Sequence, residues 1–265
     1  MMLAHFVSAQ NTTLDIVTAE LVKINNTFDS SLYLAFDLDI NFNSDSAGVI
    51  VETDQMSGNY VLNAKNMYYH MGGTEYIQTD SFSYTIYPEE KMMVMAKNFV
   101  EKSSSVFPLR AFVDSILHYY GTNYNISLDS VDIDSTEYFK RISFTVKNNS
   151  SGVLDSTFYT KFLIEYNPAS YLPQKFAFGF METKATPDSI PIFHDYFKTI
   201  IMDFSKYHAF INTEIFDDNN YIIYNRQRKI YEPNEKYKEY RFITAGFENE
   251  DEDAPFYREV PADGN

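Results

Sequence analysis

The chain has 265 residues, room for one large domain or two small ones, and its 45% apolar share excludes wholesale disorder. Thirty-seven acids against 21 bases leave a net charge of −16, which repels phosphate backbones and argues against nucleic acid or an anionic membrane as the main partner. Cysteine and tryptophan are absent, so disulfides and thiolate chemistry are excluded, while 23 Phe and 22 Tyr tilt the composition towards strands.

Residues 1–10, MMLAHFVSAQ, do not read as a folded element. Val7-Ser8-Ala9 has the small-x-small form of an export-signal cleavage site, which would leave Gln10 at the mature N-terminus. The apolar run before it is short and lacks basic residues, so the expectation is the trailing end of a signal. No apolar stretch approaches the roughly 20 residues that span a bilayer as a helix.

A helix follows. Leu14, Val17, Leu21, Ile24 and Phe28 form one apolar stripe, with Asp15, Glu20 and Lys23 off it and Thr12 or Thr13 as the cap. The period then changes to two: Leu34, Phe36 and Leu38 alternate with Ala35, Asp37 and Asp39 in a long strand with one wet face. Residues 49–53 and 59–63 are expected to pair across a turn near Gly58. Further strands are predicted at 66–71, 75–79, 82–87 and 92–96, punctuated by Gly72-Gly73 and by the turn Pro88-Glu89-Glu90-Lys91. This is an antiparallel meander.

Pro108 opens a second predicted helix over 108–120, with Phe112 and Ile116 one turn apart and Gly121 as its stop. Strands resume at 138–146, 156–166, 174–183 and 197–204, the middle pair joined by a proline-bounded turn after Tyr166. Beyond Tyr221 come the short strand-like pieces YIIYN and YRFITA, then an acidic tail expected to be disordered. The expected layout is a signal remnant or loose N-terminus over 1–10, one domain over 11–247, and a tail over 248–265.

Catalytic motifs are lacking. His5, His70, His118, His194 and His208 lie apart in sequence, and no nucleophile elbow or Gly-rich phosphate loop occurs. The acidic run from Asp129 to Glu137 lacks the glycine and spacing of a calcium loop. The expectation is a protein that is not an enzyme and needs no cofactor or metal. One local feature runs against the acidic whole: residues 225–241 carry Arg226, Arg228, Lys229, Lys236, Lys238 and Arg241 against three glutamates. This reads either as a solvated hairpin or as a docking patch for an acidic partner or lipid headgroups.

The order of elements and one hairpin resemble the LolA-like periplasmic lipoprotein carriers. Residues 79–94, TDSFSYTIYPEEKMMV, are similar to that family's D-G-x-x-x-W-x-Y-x-P-x-x-K-Q-V hairpin, with Ser81 in place of the glycine. Gly58-x-Tyr60-x-Leu62 resembles its G-x-F-x-L strand, and Tyr166-Asn167-Pro168 before Leu172-Pro173 resembles a later turn. The arginine that the family carries in its early strands has no counterpart, since none precedes Arg110. The resemblance, over about residues 12–205, implies an α+β fold, mainly β: a strongly curved, unclosed antiparallel half-barrel with two or three helices on its concave face. It implies a monomeric periplasmic binder or carrier of lipid or a lipidated protein, with envelope proteins as possible partners. Leu34, Phe36, Leu38, Phe82, Tyr84, Ile86, Phe176, Phe178 and Phe180 would line the cavity, and Phe112 and Ile116 would point in from a lid. Two other readings stand beside it: an interaction module with a filled core, and an enzyme whose site assembles only in space.

Overall fold

Alternation of period two builds most of this molecule. A computed structural model describes residues 3–30, 33–46, 49–63, 66–97, 124–132, 138–147, 159–185, 193–210, 212–246 and 257–260. The predicted helix over 108–120 lies outside them, as do residues 248–256 and 261–265 of the predicted tail. Helix α1 (Leu3–Ser30) begins well upstream of the capping threonines and takes in Val7-Ser8-Ala9. Within its expected stripe Val17, Leu21 and Ile24 are buried and Leu14 half-buried, while Ile16 and Val22 face solvent.

The strands are β1 (Leu34–Ser46), β2 (Val49–Asn63), β3 (Asn66–Met71), β4 (Thr74–Gln78), β5 (Phe82–Tyr87) and β6 (Met92–Lys97). Next come β7 (Tyr124–Asp132), β8 (Tyr138–Val146), β9 (Tyr159–Tyr166), β10 (Pro173–Ala185) and β11 (Phe193–His208). The C-terminal part supplies β12 (Ile222–Asn225), β13 (Ile230–Pro233), β14 (Arg241–Ala245) and β15 (Tyr257–Val260). Thirteen of them form one unclosed sheet in the order β15-β14-β6-β5-β4-β3-β2-β1-β11-β10-β9-β8-β7; β12 and β13 pair apart from it. The pairings from β2 to β6 and from β7 to β11 are antiparallel, as expected for a meander. Strand β14 lies parallel to β6, which no local pattern signals.

Two turns follow their sequence signals. Gly72 and Gly73 both take left-handed φ, 56° and 78°, the conformation a two-residue hairpin demands. Lys91 closes the Pro88 turn with its N–H donated to the Pro88 carbonyl at 3.3 Å. Gly58, by contrast, is no turn. It sits inside the continuous strand β2, where a Cβ would come within 2.3 Å of the His70 carbonyl oxygen. The missing side chain serves close backbone approach between β2 and β3, so the expected hairpin of 49–53 with 59–63 gives way to pairing of 58–63 with 66–71. Within the predicted tail, Tyr257–Val260 pairs with β14 as a strand.

The chain divides into two compact units. Among the described residues the first unit holds α1, β7 to β10 and the adjoining parts of β1, β2 and β11. The second holds β3 to β6, β12 to β15 and the remaining parts of those three long strands. Among the described residues no helix is long and apolar enough to cross a membrane.

Candidate functional site

In the first unit the register sorts side chains by face. Ile142, Ile164, Phe176 and Met202 lie in one row across β8 to β11, and Phe144, Phe162, Phe178 and Ile200 in the next. Their rings touch: Phe144 to Phe162 at 5.7 Å, Phe162 to Phe178 at 4.9 Å, and Phe176 to Phe204 at 4.9 Å between centroids. The other face is mixed, with Arg141 on Glu165 and Lys175 on Asp203 at 3.3 Å beside a row of Leu163, Ala177 and Ile201. One face of this sheet is therefore apolar, and α1 crosses it.

Burial along that face is uneven. Phe144, Phe162, Ile164 and Phe176 are fully enclosed, whereas Phe178, Phe180, Ile200 and Met202 are only half-buried. Beside Phe180, Lys198 reaches Glu182 at 2.5 Å and lies 5.5 Å over the Phe42 ring. Neighbouring apolar side chains thus keep contact with solvent at a place where an ion pair holds the rim.

Beside its buried apolar stripe, α1 is tied to the sheet by an ionic network. Glu20 is 6% exposed; its carboxylate accepts from the Tyr166 hydroxyl, from Lys23 Nζ at 2.9 Å and from Lys140 Nζ at 3.2 Å. Burial works to raise this carboxyl, but the three donors outweigh it and hold it below the ordinary glutamate value. Burial and the carboxylate together push the Tyr166 phenol up. Lys23 extends the network to the Tyr171 hydroxyl at 3.2 Å, on the turn after β9. Sequence reasoning placed Glu20 off the apolar stripe. Its position three after Val17 and four before Ile24 was the available signal, since both spacings share one helix face.

The second unit is organised differently. Val61, Tyr68, Ile77, Tyr84 and Met95 form a row from β2 to β6, with Ile86, Met93 and Phe242 beside it. The chain's own C-terminal segment covers them through Phe216, Tyr221, Ile222 and Tyr237. Asp218 pins that cover, accepting from Thr79 Oγ1 and from the Tyr84 hydroxyl, each at 2.8 Å, while Tyr84 and Tyr221 stack at 4.7 Å. No sequence signal pointed to the meeting of Asp218 with Thr79 and Tyr84, because it joins chain segments far apart.

Tyr60, Tyr69 and Tyr76 stand on the opposite face of the second unit, stacked at 5.2 Å and 5.1 Å, with Phe36 at 5.4 Å from Tyr60. Burial pushes the Tyr60 phenol up to about 12. Leu34 and Phe36, on alternate positions of β1, share this side; Ala35 packs into the core on the other. Within this unit Leu34 and Phe36 therefore point away from Phe82, Tyr84 and Ile86. Leu38, Phe176, Phe178 and Phe180 belong to the first unit, and Phe112 and Ile116 lie outside the described residues. Of the predicted lining residues, Phe176, Phe178 and Phe180 come together on one apolar face of the first unit, and Phe82, Tyr84 and Ile86 share a face of the second. Among the described residues no group of three His, Asp or Glu is arranged to hold a metal ion.

No family model matches the chain, and no curated protein does. Among solved structures it is similar to an uncharacterized conserved protein from Thermus thermophilus, at 7% identity and a TM-score of 0.38, over 72% of this chain and 88% of that one. A LolA superfamily protein from Nitrosomonas europaea follows at 12% and 0.26, over 73% of this chain and 95% of that one. An outer membrane lipoprotein-sorting protein domain from Vibrio parahaemolyticus matches at 12% and 0.29, over 79% and 98%. At such identities and scores, the functional reading rests on the residues of this chain.

Proposed function

We propose that the protein is a non-catalytic binder or carrier of an apolar ligand, an acyl chain of a lipid or lipidated protein, working in the periplasm. The ligand lies against Phe178, Phe180 and Ile200 in the first unit, next to the rim formed by Lys198 and Glu182. The observation that carries this reading is the uneven burial of one continuous apolar face, fully enclosed at Phe162 and Phe176 and half-buried at Phe178 and Phe180. The hairpin of residues 79–94, which resembles the LolA-like carriers, supports it further. Burying about ten CH₂ groups of an acyl chain gains roughly 8 kcal/mol before ordering costs, enough for a long-lived complex. The second unit favours the filled-core alternative for its own face, because Phe216, Tyr221 and Tyr237 occupy the space over Tyr84 and Ile86. A cut after Ala9 would leave the buried stripe of α1 from Val17 to Ile24 whole.

Intact-mass spectrometry of the native protein, followed by solvent extraction, tests both halves. The expected species starts at Gln10 and releases acyl chains; a cytosolic product retaining Met1 would remove the periplasmic assignment. The purified protein should also take up a fluorescent fatty acid. Phe178→Asp should cut that uptake roughly tenfold or more while melting only a few degrees lower, whereas Phe162→Asp places a charge in the packed end and should unfold the unit. No uptake by the wild type, with no extractable acyl chain, would overturn the proposal.

A further inference from the structure

Strands β12 and β13 form a hairpin hydrogen-bonded to no other strand among the described residues. Its base is fixed, with Tyr221 and Ile222 buried in the core of the second unit. Its outer part is exposed: Ile223 is 53% and Tyr224 49% accessible, the Tyr224 ring resting 5.1 Å from that of Tyr231 across the hairpin. Between them and Ile230 runs the loop Arg226-Gln227-Arg228-Lys229, exposed throughout. The loop is pre-shaped. The Asn225 side chain accepts from the backbone N–H of Gln227 and of Arg228, both at 3.1 Å, and its amide donates to Glu232 at 3.1 Å. Lys229 closes it with φ of 52°, a conformation glycine adopts without strain, yet here the position carries a base.

Charge at the tip is left over. Of the three bases only Arg228 meets a carboxylate among the described residues, Glu232 at 3.3 Å. The surplus stands on a chain of net charge −16, where random placement favours acids. Exposed apolar and aromatic groups flanking surplus cations match the boundary of a bilayer, where tyrosine and aliphatic groups enter the headgroup zone and cations meet phosphate.

We propose that the β12–β13 hairpin is a membrane-docking element, with Arg226, Arg228 and Lys229 on anionic lipid headgroups and Ile223 and Tyr224 at the acyl boundary. This does not depend on the apolar site of the first unit. The acidic remainder of the molecule opposes approach, so docking requires enough salt to screen distant acids but not the contacting tip. At 0.15 M the screening length is about 8 Å, which satisfies that condition.

The test is co-sedimentation of the full chain with phosphatidylcholine vesicles holding about 30% phosphatidylglycerol, beside pure phosphatidylcholine. Wild type should bind the anionic vesicles only, and about 0.5 M salt should release it. Arg226→Gln, Arg228→Gln and Lys229→Gln combined should lower partitioning roughly tenfold or more, since each base near an anionic surface is worth roughly fivefold. Ile223→Ser with Tyr224→Ser should lower it as well. A control with the same change of net charge, Lys161→Gln, Lys175→Gln and Lys206→Gln, should bind at least half as well as wild type. Circular dichroism and melting of the tip variant should match wild type, as its substitutions touch no core residue. Absence of wild-type binding, or equal loss in tip and control variants, would overturn the proposal. So would binding to polyglutamate in place of vesicles, which would make the patch a site for an acidic protein.

Discussion

Glu20 is the residue whose chemistry reaches furthest. A carboxylate at the face between α1 and the sheet is tolerated there because Tyr166, Lys23 and Lys140 all donate to it. Its folded pKa is lowered, so its contribution is present above the unfolded value, near 4.3, and disappears as pH falls through the folded one. The melting temperature of the wild type should therefore fall more steeply than that of Glu20→Gln as pH drops below the ordinary glutamate value. At pH 7 the same substitution should cost about 1–3 kcal/mol, because Lys140 and Tyr166 lose a charged acceptor. Parallel acid limbs for the two proteins, read by thermal melts, would show that Glu20 does not anchor the helix.

Among the elements, the C-terminal cover carries the clearest energetic statement. Asp218 accepts two hydrogen bonds from the sheet, one of them from fully buried Tyr84. Asp218→Ala should destabilise the second unit by about 2–3 kcal/mol, since the Tyr84 hydroxyl is left without its acceptor in a closed interior. Urea titration should show an earlier midpoint and added binding of a hydrophobic dye; a change under about 0.5 kcal/mol would mean the contact is ornamental. Strands β3 to β6 and the stripe of α1 were legible in the sequence because each is set by alternation or by three- and four-residue spacing within one segment. The cover was not. Phe216 and Tyr237 lie in single-turn 3-10 pieces too short to show a period, Tyr221 directly follows another, and the core they join is built from strands far off in sequence. Gly58 misled for a related reason: a glycine needed for a neighbouring strand's carbonyl looks, in one dimension, like a glycine needed for a turn. The site was half legible. Phe176, Phe178 and Phe180 share a face as their alternation indicates, but alternation assigns no side to β1 relative to β5, and those two strands present their large groups oppositely.

For the molecule as a whole, the charge of −16 sets a solution property that no single contact reveals. Ion pairs such as Lys91 with Glu239 are exposed and contribute little, so general repulsion among the acids dominates the electrostatics. Raising sodium chloride from about 0.02 M to about 0.3 M should therefore raise the melting temperature, by a few degrees, instead of lowering it as loss of ion pairs would. A fall over that range, measured by calorimetry, would show that specific pairs outweigh the net charge.

The parallel pairing of β14 with β6 has a temporal side. The main-chain groups at Met92 and Met93 find their partners at Arg241 and Phe242, and Tyr84 finds Asp218, only after the long stretch of chain between them has left the ribosome. Until then a nascent chain holds a finished meander with an unpaired edge at β6 and a bare apolar row of Ile77, Tyr84, Ile86 and Met93. Such a surface is a template for association with other chains and a natural client for holding chaperones. The first unit has no such delay at β7 to β11, which follow one another in sequence and can pair as they emerge. Slow translation should be harmless to that half of the chain and hazardous to the other.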